Sequence, residues 1–184
     1  MYLQSKLRNI LARSRGSHVV SIDTDFTETR TENRLKRNHF NGASLAFDSQ
    51  LVVAGGGQNP RTSSSEIISA KNSEYKWQNW ATMAKGLSGL QLIRVNNYIY
   101  ASGGYDGKDS ALEIHRIDIS CFKRGCSKTP SWEHHGNMVH KRDGHLSLFF
   151  ANSIYTLGGE GPGKQIVQQI QNLILRLLKY SNTR

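Results

Sequence analysis

Apolar and polar positions alternate in short runs along the chain, and three of those runs end in a glycine pair. The runs are Gln50–Ala54 before Gly55 and Gly56, Tyr98–Ser102 before Gly103 and Gly104, and Ser153–Leu157 before Gly158 and Gly159. Period-two alternation is the mark of a strand with two distinct faces. A second short apolar stretch precedes each run, at Ala43–Phe47, Leu90–Val95 and Leu146–Phe150, with a two-residue turn between. A third strand is expected after a glycine-rich loop, at Ser65–Ala70 and Leu112–Ile119, and a fourth carrying Trp77 or Trp132. The pattern changes near the C-terminus. Ile166, Ile170, Leu173, Ile174, Leu177 and Leu178 recur at helical spacing, which predicts an amphipathic helix over 163–184.

The glycine pairs lie 48 and 55 residues apart, and other landmarks keep step with them. Trp77 precedes Gly103 by 26 residues, as Trp132 precedes Gly158; Met83 and Met138 precede the same glycines by 20. The extra length of the second interval falls between Glu113 and Trp132, where Cys121–Ser127 reads as an insertion. Fixed landmarks with variation confined to one loop indicate a repeated structural unit.

These residues resemble the kelch repeat family. The resemblance covers roughly residues 18–160 and is best in the second unit, with Tyr98-Ile99-Tyr100, Gly103-Gly104-Tyr105-Asp106-Gly107 and Trp132. Units near 39–80 and 87–134 are complete, and 18–30 and 142–162 are partial. Residues 1–17 form a basic segment before them. The resemblance implies an all-β, partial kelch-type β-propeller, made of four-stranded blades that bury their faces against one another. It also implies structural roles for Gly55, Gly56, Trp77, Gly103, Gly104, Trp132, His145, Gly158 and Gly159, and a non-catalytic protein-binding function through blade loops. The predicted C-terminal helix departs from the family pattern. Two complete units do not close a ring, so further blades or another copy of the chain are expected to complete one.

Charge narrows the choice of partner. The chain carries a formal +10, but residues 1–22 and 161–184 each hold four Lys or Arg and no acid. Residues 23–160 are then only +2, which argues against a nucleic-acid-binding core. No run of about 18 apolar residues is present to span a membrane. In an antiparallel four-stranded unit the first and third strands run the same way, so the loops entering them open on one rim. Those loops hold Lys36, Arg37, Arg61, Lys85, Asp106, Lys108, Lys141 and Arg142, and with Asp109, Asp143 and Glu160 the rim sums to +3. A partner that is acidic at the contact is expected there. The cysteine insertion belongs on the opposite rim.

Several motifs suggest other chemistry. Gly158–Gln165 approaches a phosphate-binding loop, but Gln165 stands where a magnesium-holding hydroxyl belongs. His134, His135, His140 and His145 cluster near Cys121 and Cys126 without metal-site spacing. No metal, cofactor or nucleophile–base set is expected. The alternatives are a fragment of a copper oxidase resembling galactose oxidase and, more remotely, nucleotide binding at Gly158–Gln165. Asp106 and Asp109 read as turn residues. The compartment is expected to be cytoplasmic, or extracellular if Cys121 and Cys126 form a disulfide.

Overall fold

The structure, a computed structural model, describes residues 19–22, 29–32, 35–58, 60–69, 76–123 and 125–174. A hairpin, β1 (Val19–Ile22) and β2 (Thr29–Glu32), comes first. A four-stranded meander follows: β3 (Ala43–Phe47), β4 (Gln50–Ala54), β5 (Ser64–Ser69) and β6 (Gln78–Thr82). The second meander is β7 (Gln91–Val95), β8 (Tyr98–Ser102), β9 (Glu113–Asp118) and β10 (Glu133–Asn137). The third sheet has three strands, β11 (Leu146–Phe150), β12 (Ser153–Leu157) and β13 (Gln171–Ile174). All neighbours are antiparallel, and the 48- and 55-residue offsets hold to the residue: Ala43 pairs with Ala54, Gln91 with Ser102 and Leu146 with Leu157. The turns inside these pairs use left-handed backbone at Asp48, Asn96 and Ala151.

The sheets stack in chain order, with the first strands β3, β7 and β11 in contact. Both faces of β4 and β8 are buried. Val52 and Ala54 face the second sheet and pack with Leu92, Ile99 and Ile117, while Leu51 and Val53 face the other way and pack with Leu35 and Trp77. Two-sided burial explains why β4 reads as a nearly continuous apolar run. A third cluster, Val95, Tyr100 and Ile114 with Met138 and Ile154, joins the second sheet to the third.

The glycine pairs are the joints between sheets. Gly56 N–H donates to Leu87 O at 2.6 Å, and Gly104 N–H to Arg142 O at 2.9 Å. At Gly103, φ is +58° and a Cβ would lie 2.3 Å from Arg142 O, so only glycine fits.

Over its described part, residues 163–174, the expected C-terminal helix is not formed. After a short 3-10 turn at Pro162–Lys164 the chain runs extended, Val167 N–H bonds Gly159 O, and β13 pairs with β12 through Leu173 opposite Ile154. A helix here would leave the backbone groups of β12 without a neighbour on that side; the third strand of the repeat supplies one. Leu177 and Leu178 lie outside the described residues, as do residues 1–17. Among the described residues no helix is long and apolar enough to cross a membrane.

Candidate interaction rim

Four of the rim residues expected from sequence converge. Arg61 comes from the loop before β5, Lys85 from the connection between the first two sheets, and Asp106 and Lys108 from the loop before β9. Together they line an open depression of about 610 Å³ between the two meanders. Arg61 is held in place. Its Nη1 donates to Gln58 O at 2.8 Å, its Nε to Ser88 Oγ at 3.3 Å, and its guanidinium lies 4.8 Å from the centre of the Tyr105 ring. The opposing loops touch at Gly86, where a Cβ would lie 2.4 Å from Arg61 O.

The acids nearby are engaged. Asp106 Oδ1 accepts the backbone N–H groups of Lys108 and Asp109 at 2.8 and 3.0 Å. Those bonds, from Asp109 first and Lys108 second, hold its carboxyl below the ordinary value. Glu113 accepts Lys85 Nζ at 2.7 Å. Burial pushes Glu113 up, but the Lys85 bond and backbone N–H groups outweigh it and keep the carboxylate charged. Asp109 is bridged by Lys141 at 2.5 Å, between the second and third sheets. Arg61 and Lys108 are therefore the cations of the depression that no described carboxylate neutralises within ion-pair distance.

Lys36 and Arg37 are exposed beside the first sheet, and their backbone N–H groups both donate to the Glu66 carboxylate at 2.8 Å. Burial raises Glu66, yet the bonds from His39, Lys36 and Arg37 hold it lowered.

Arg142 is not a rim residue. It is fully buried and donates through Nη1 to Gly158 O at 2.9 Å and through both Nη atoms to Gln169 O at 3.3 Å. It sits 16 residues before its glycine pair, and so does His39, whose Nδ1 meets Gly55 O at 2.6 Å. Both side chains hold the carbonyl of a first glycine. The signal in the sequence was a polar residue at that fixed offset, overlooked because the second unit has Leu87 there.

The structural repeat positions are distributed as follows. Trp77 and Trp132 each precede a fourth strand; Trp77 is buried and Trp132 half-buried. His145 is buried, with Nε2 3.0 Å from Ser102 Oγ. Cys121 and Cys126 are joined by a disulfide in the connection between β9 and β10. Phe122, inside that loop, packs on Phe47 and Trp80 at ring separations of 5.4 and 6.1 Å. Among the described residues no three His, Cys, Asp or Glu side chains group as metal ligands. The segment Gly158–Gln165 leads into a strand, not a helix.

Among solved structures, the chain is similar to that of YjhT. The TM-score is 0.72 at 16% identity, covering 89% of this chain and 51% of that one. The likeness is one of fold, and the chain spans about half the length of YjhT. No family model matches the chain, and no curated protein matches it.

Proposed function

We propose that the repeated sheets are blades of a kelch-type β-propeller and that the chain is a non-catalytic module binding an acidic segment of a partner protein. The observation that carries this reading is the depression where loops of adjacent sheets present Arg61, Lys85 and Lys108. Its one acid, Asp106, spends a carboxylate oxygen on its own loop. Arg61 is braced by Tyr105 and Ser88, so little side-chain entropy is lost when it meets a carboxylate. The exposed rims of such charge sites act mainly on encounter and specificity.

The test uses fluorescent poly-glutamate and poly-lysine peptides against the parent chain and a Lys85→Glu/Lys108→Glu variant. Poly-glutamate should bind, weaken as salt rises, and lose about tenfold affinity in the variant, since surface pairs contribute about 0.2–1 kcal/mol each. Equal binding by the variant, or a preference for poly-lysine, places the interface elsewhere.

A further inference from the structure

His39 in the first unit and Arg142 in the third both hold the carbonyl of a first glycine, but only His39 has an acid behind it. His39 Nε2 lies 3.1 Å from Glu66 Oε1, and both side chains are fully buried. Glu66 is paired opposite Val53, two residues before Gly55. The same place in the third unit belongs to Gln171, paired opposite Thr156, two residues before Gly158. The hydrogen bonds agree. Glu66 accepts the N–H of Lys36, three residues before His39, and Gln171 Oε1 accepts the N–H of Val139, three residues before Arg142, both at 2.8 Å. Gln171 therefore fills the acid's position with a neutral amide.

Arg142 is left as a fully buried guanidinium with no carboxylate within ion-pair distance among the described residues. Its Nη atoms are spent on Gly158 O and Gln169 O, and its Nε has no partner. Burial lowers its pKa, and no opposing charge offsets that. A buried charge is costly unless it is paired.

Two further buried polar atoms around it lack partners, His145 Nδ1 and Thr156 Oγ1. Thr156 shares with Ser147 and Gln171 the face of the third sheet that is turned to the second. Across the joint, Ser102 Oγ lies 3.2 Å from Ser147 Oγ and 3.0 Å from His145 Nε2. With Nε2 accepting from Ser102, the neutral His145 ring presents Nδ1–H as a donor.

We infer that Arg142 Nε, His145 Nδ1 and Thr156 Oγ1 bind a small monovalent anion of the halide class, which replaces the carboxylate that Glu66 supplies in the first unit. One cation and two neutral donors balance a single negative charge, and a spherical ion asks for no further directed bonds. A sulfate or phosphate brings more charge and more oxygens than these three donors can meet. A water molecule would satisfy the donors and leave the charge unbalanced.

Thermal melts of the full chain in chloride and in gluconate test this, both at about 0.15 M so that screening is equal. Gluconate is too large for an enclosed site. The parent should melt about 3 °C higher in chloride, with a response that saturates as binding does. Gln171→Glu restores the acid of the first unit and should melt alike in both salts. Thr156→Val keeps the shape and deletes one donor, so it should need several-fold more chloride for the same shift. Equal melting of the parent in the two salts would overturn the inference and leave the site to water. A chloride response unchanged in Gln171→Glu, or unchanged in Thr156→Val, would overturn it too, by placing the ion elsewhere.

Discussion

Trp77 and Trp132 stand at the same place in the repeat but in different company. Trp77 is enclosed by Leu35, Leu51 and Val53, whereas Trp132 lies at the margin of the cluster between the first two sheets, with its ring 6.2 Å from Trp80. Trp77→Ala should cost about 3–5 kcal/mol, and Trp132→Ala, at a partly buried position on the margin of the core, about 2 kcal/mol. Urea melts of both variants check this, and equal losses would mean that the two environments are alike. His145 carries a pH dependence. Burial, and then the charge of Arg142, depress its pKa to about 4 from 6.5. The unfolded chain takes up this proton as pH falls through 6.5 while the folded chain does not, so stability is full above 6.5 and declines toward pH 4. At about 1.36 kcal/mol per unit, the loss attributable to His145 is at most about 3 kcal/mol. His115 and His135 are also lowered, chiefly by burial, and add to the slope in the same sense. His145→Gln should therefore flatten, without abolishing, the fall in melting temperature between pH 6.5 and 4; an unchanged profile would assign it to other groups.

At the scale of elements, the first two strands of every unit were legible, because two short apolar runs on either side of a two-residue turn, closed by a glycine pair, leave little freedom. The third strands lie within a residue of their expected places, at Ser64–Ser69 and Glu113–Asp118, but how they align with each other was not legible. Glu66 and Glu113 each precede an isoleucine in the sequence, yet pairing sets Glu66 opposite Val53 and His115 opposite Ala101, so the true counterparts differ by two residues. The loop after the glycine pair varies in length and hides that shift. The C-terminal segment misled for a different reason. Isoleucines at 166 and 170 satisfy a helical spacing, but both are β-branched, and the open side of β12 rewards an extended chain with a full ladder. The joints give a matched pair of substitutions. Gly103 and Gly158 share a left-handed φ, so replacing either with Ala carries the same backbone penalty of about 1 kcal/mol. At Gly103 the new Cβ also collides with Arg142 O and the His145 ring, and at Gly158 it meets nothing. Gly103→Ala should lower the melting temperature several-fold more than Gly158→Ala. Similar losses would mean that backbone conformation alone, and not contact between units, explains the glycine pair.

At the scale of the whole molecule, the sequence announced a repeat but not how its units meet. The contact among β3, β7 and β11, and the burial of Arg142 in place of the exposure its charge suggests, depend on neighbours some 50 residues away in the chain. The cysteine insertion shows the same limit: as sequence it looks like an addition to one loop, while in the fold it fastens two sheets. It leaves the second meander between β9 and β10, and its Phe122 reaches Phe47 at the end of β3 and Trp80 on β6, both in the first. Closing so short a loop should be worth about 2 kcal/mol by chain entropy alone. If the disulfide acts chiefly by holding Phe122 in that contact, its value depends on the ring being present. Replacing both cysteines with Ser should then cost clearly more than that entropic share in the parent and fall back to about 2 kcal/mol in a Phe122→Ala background, a coupling that a double-mutant cycle reads directly. Additive losses would show that the disulfide and the ring stabilise the molecule separately, and that the insertion is not a staple between the sheets.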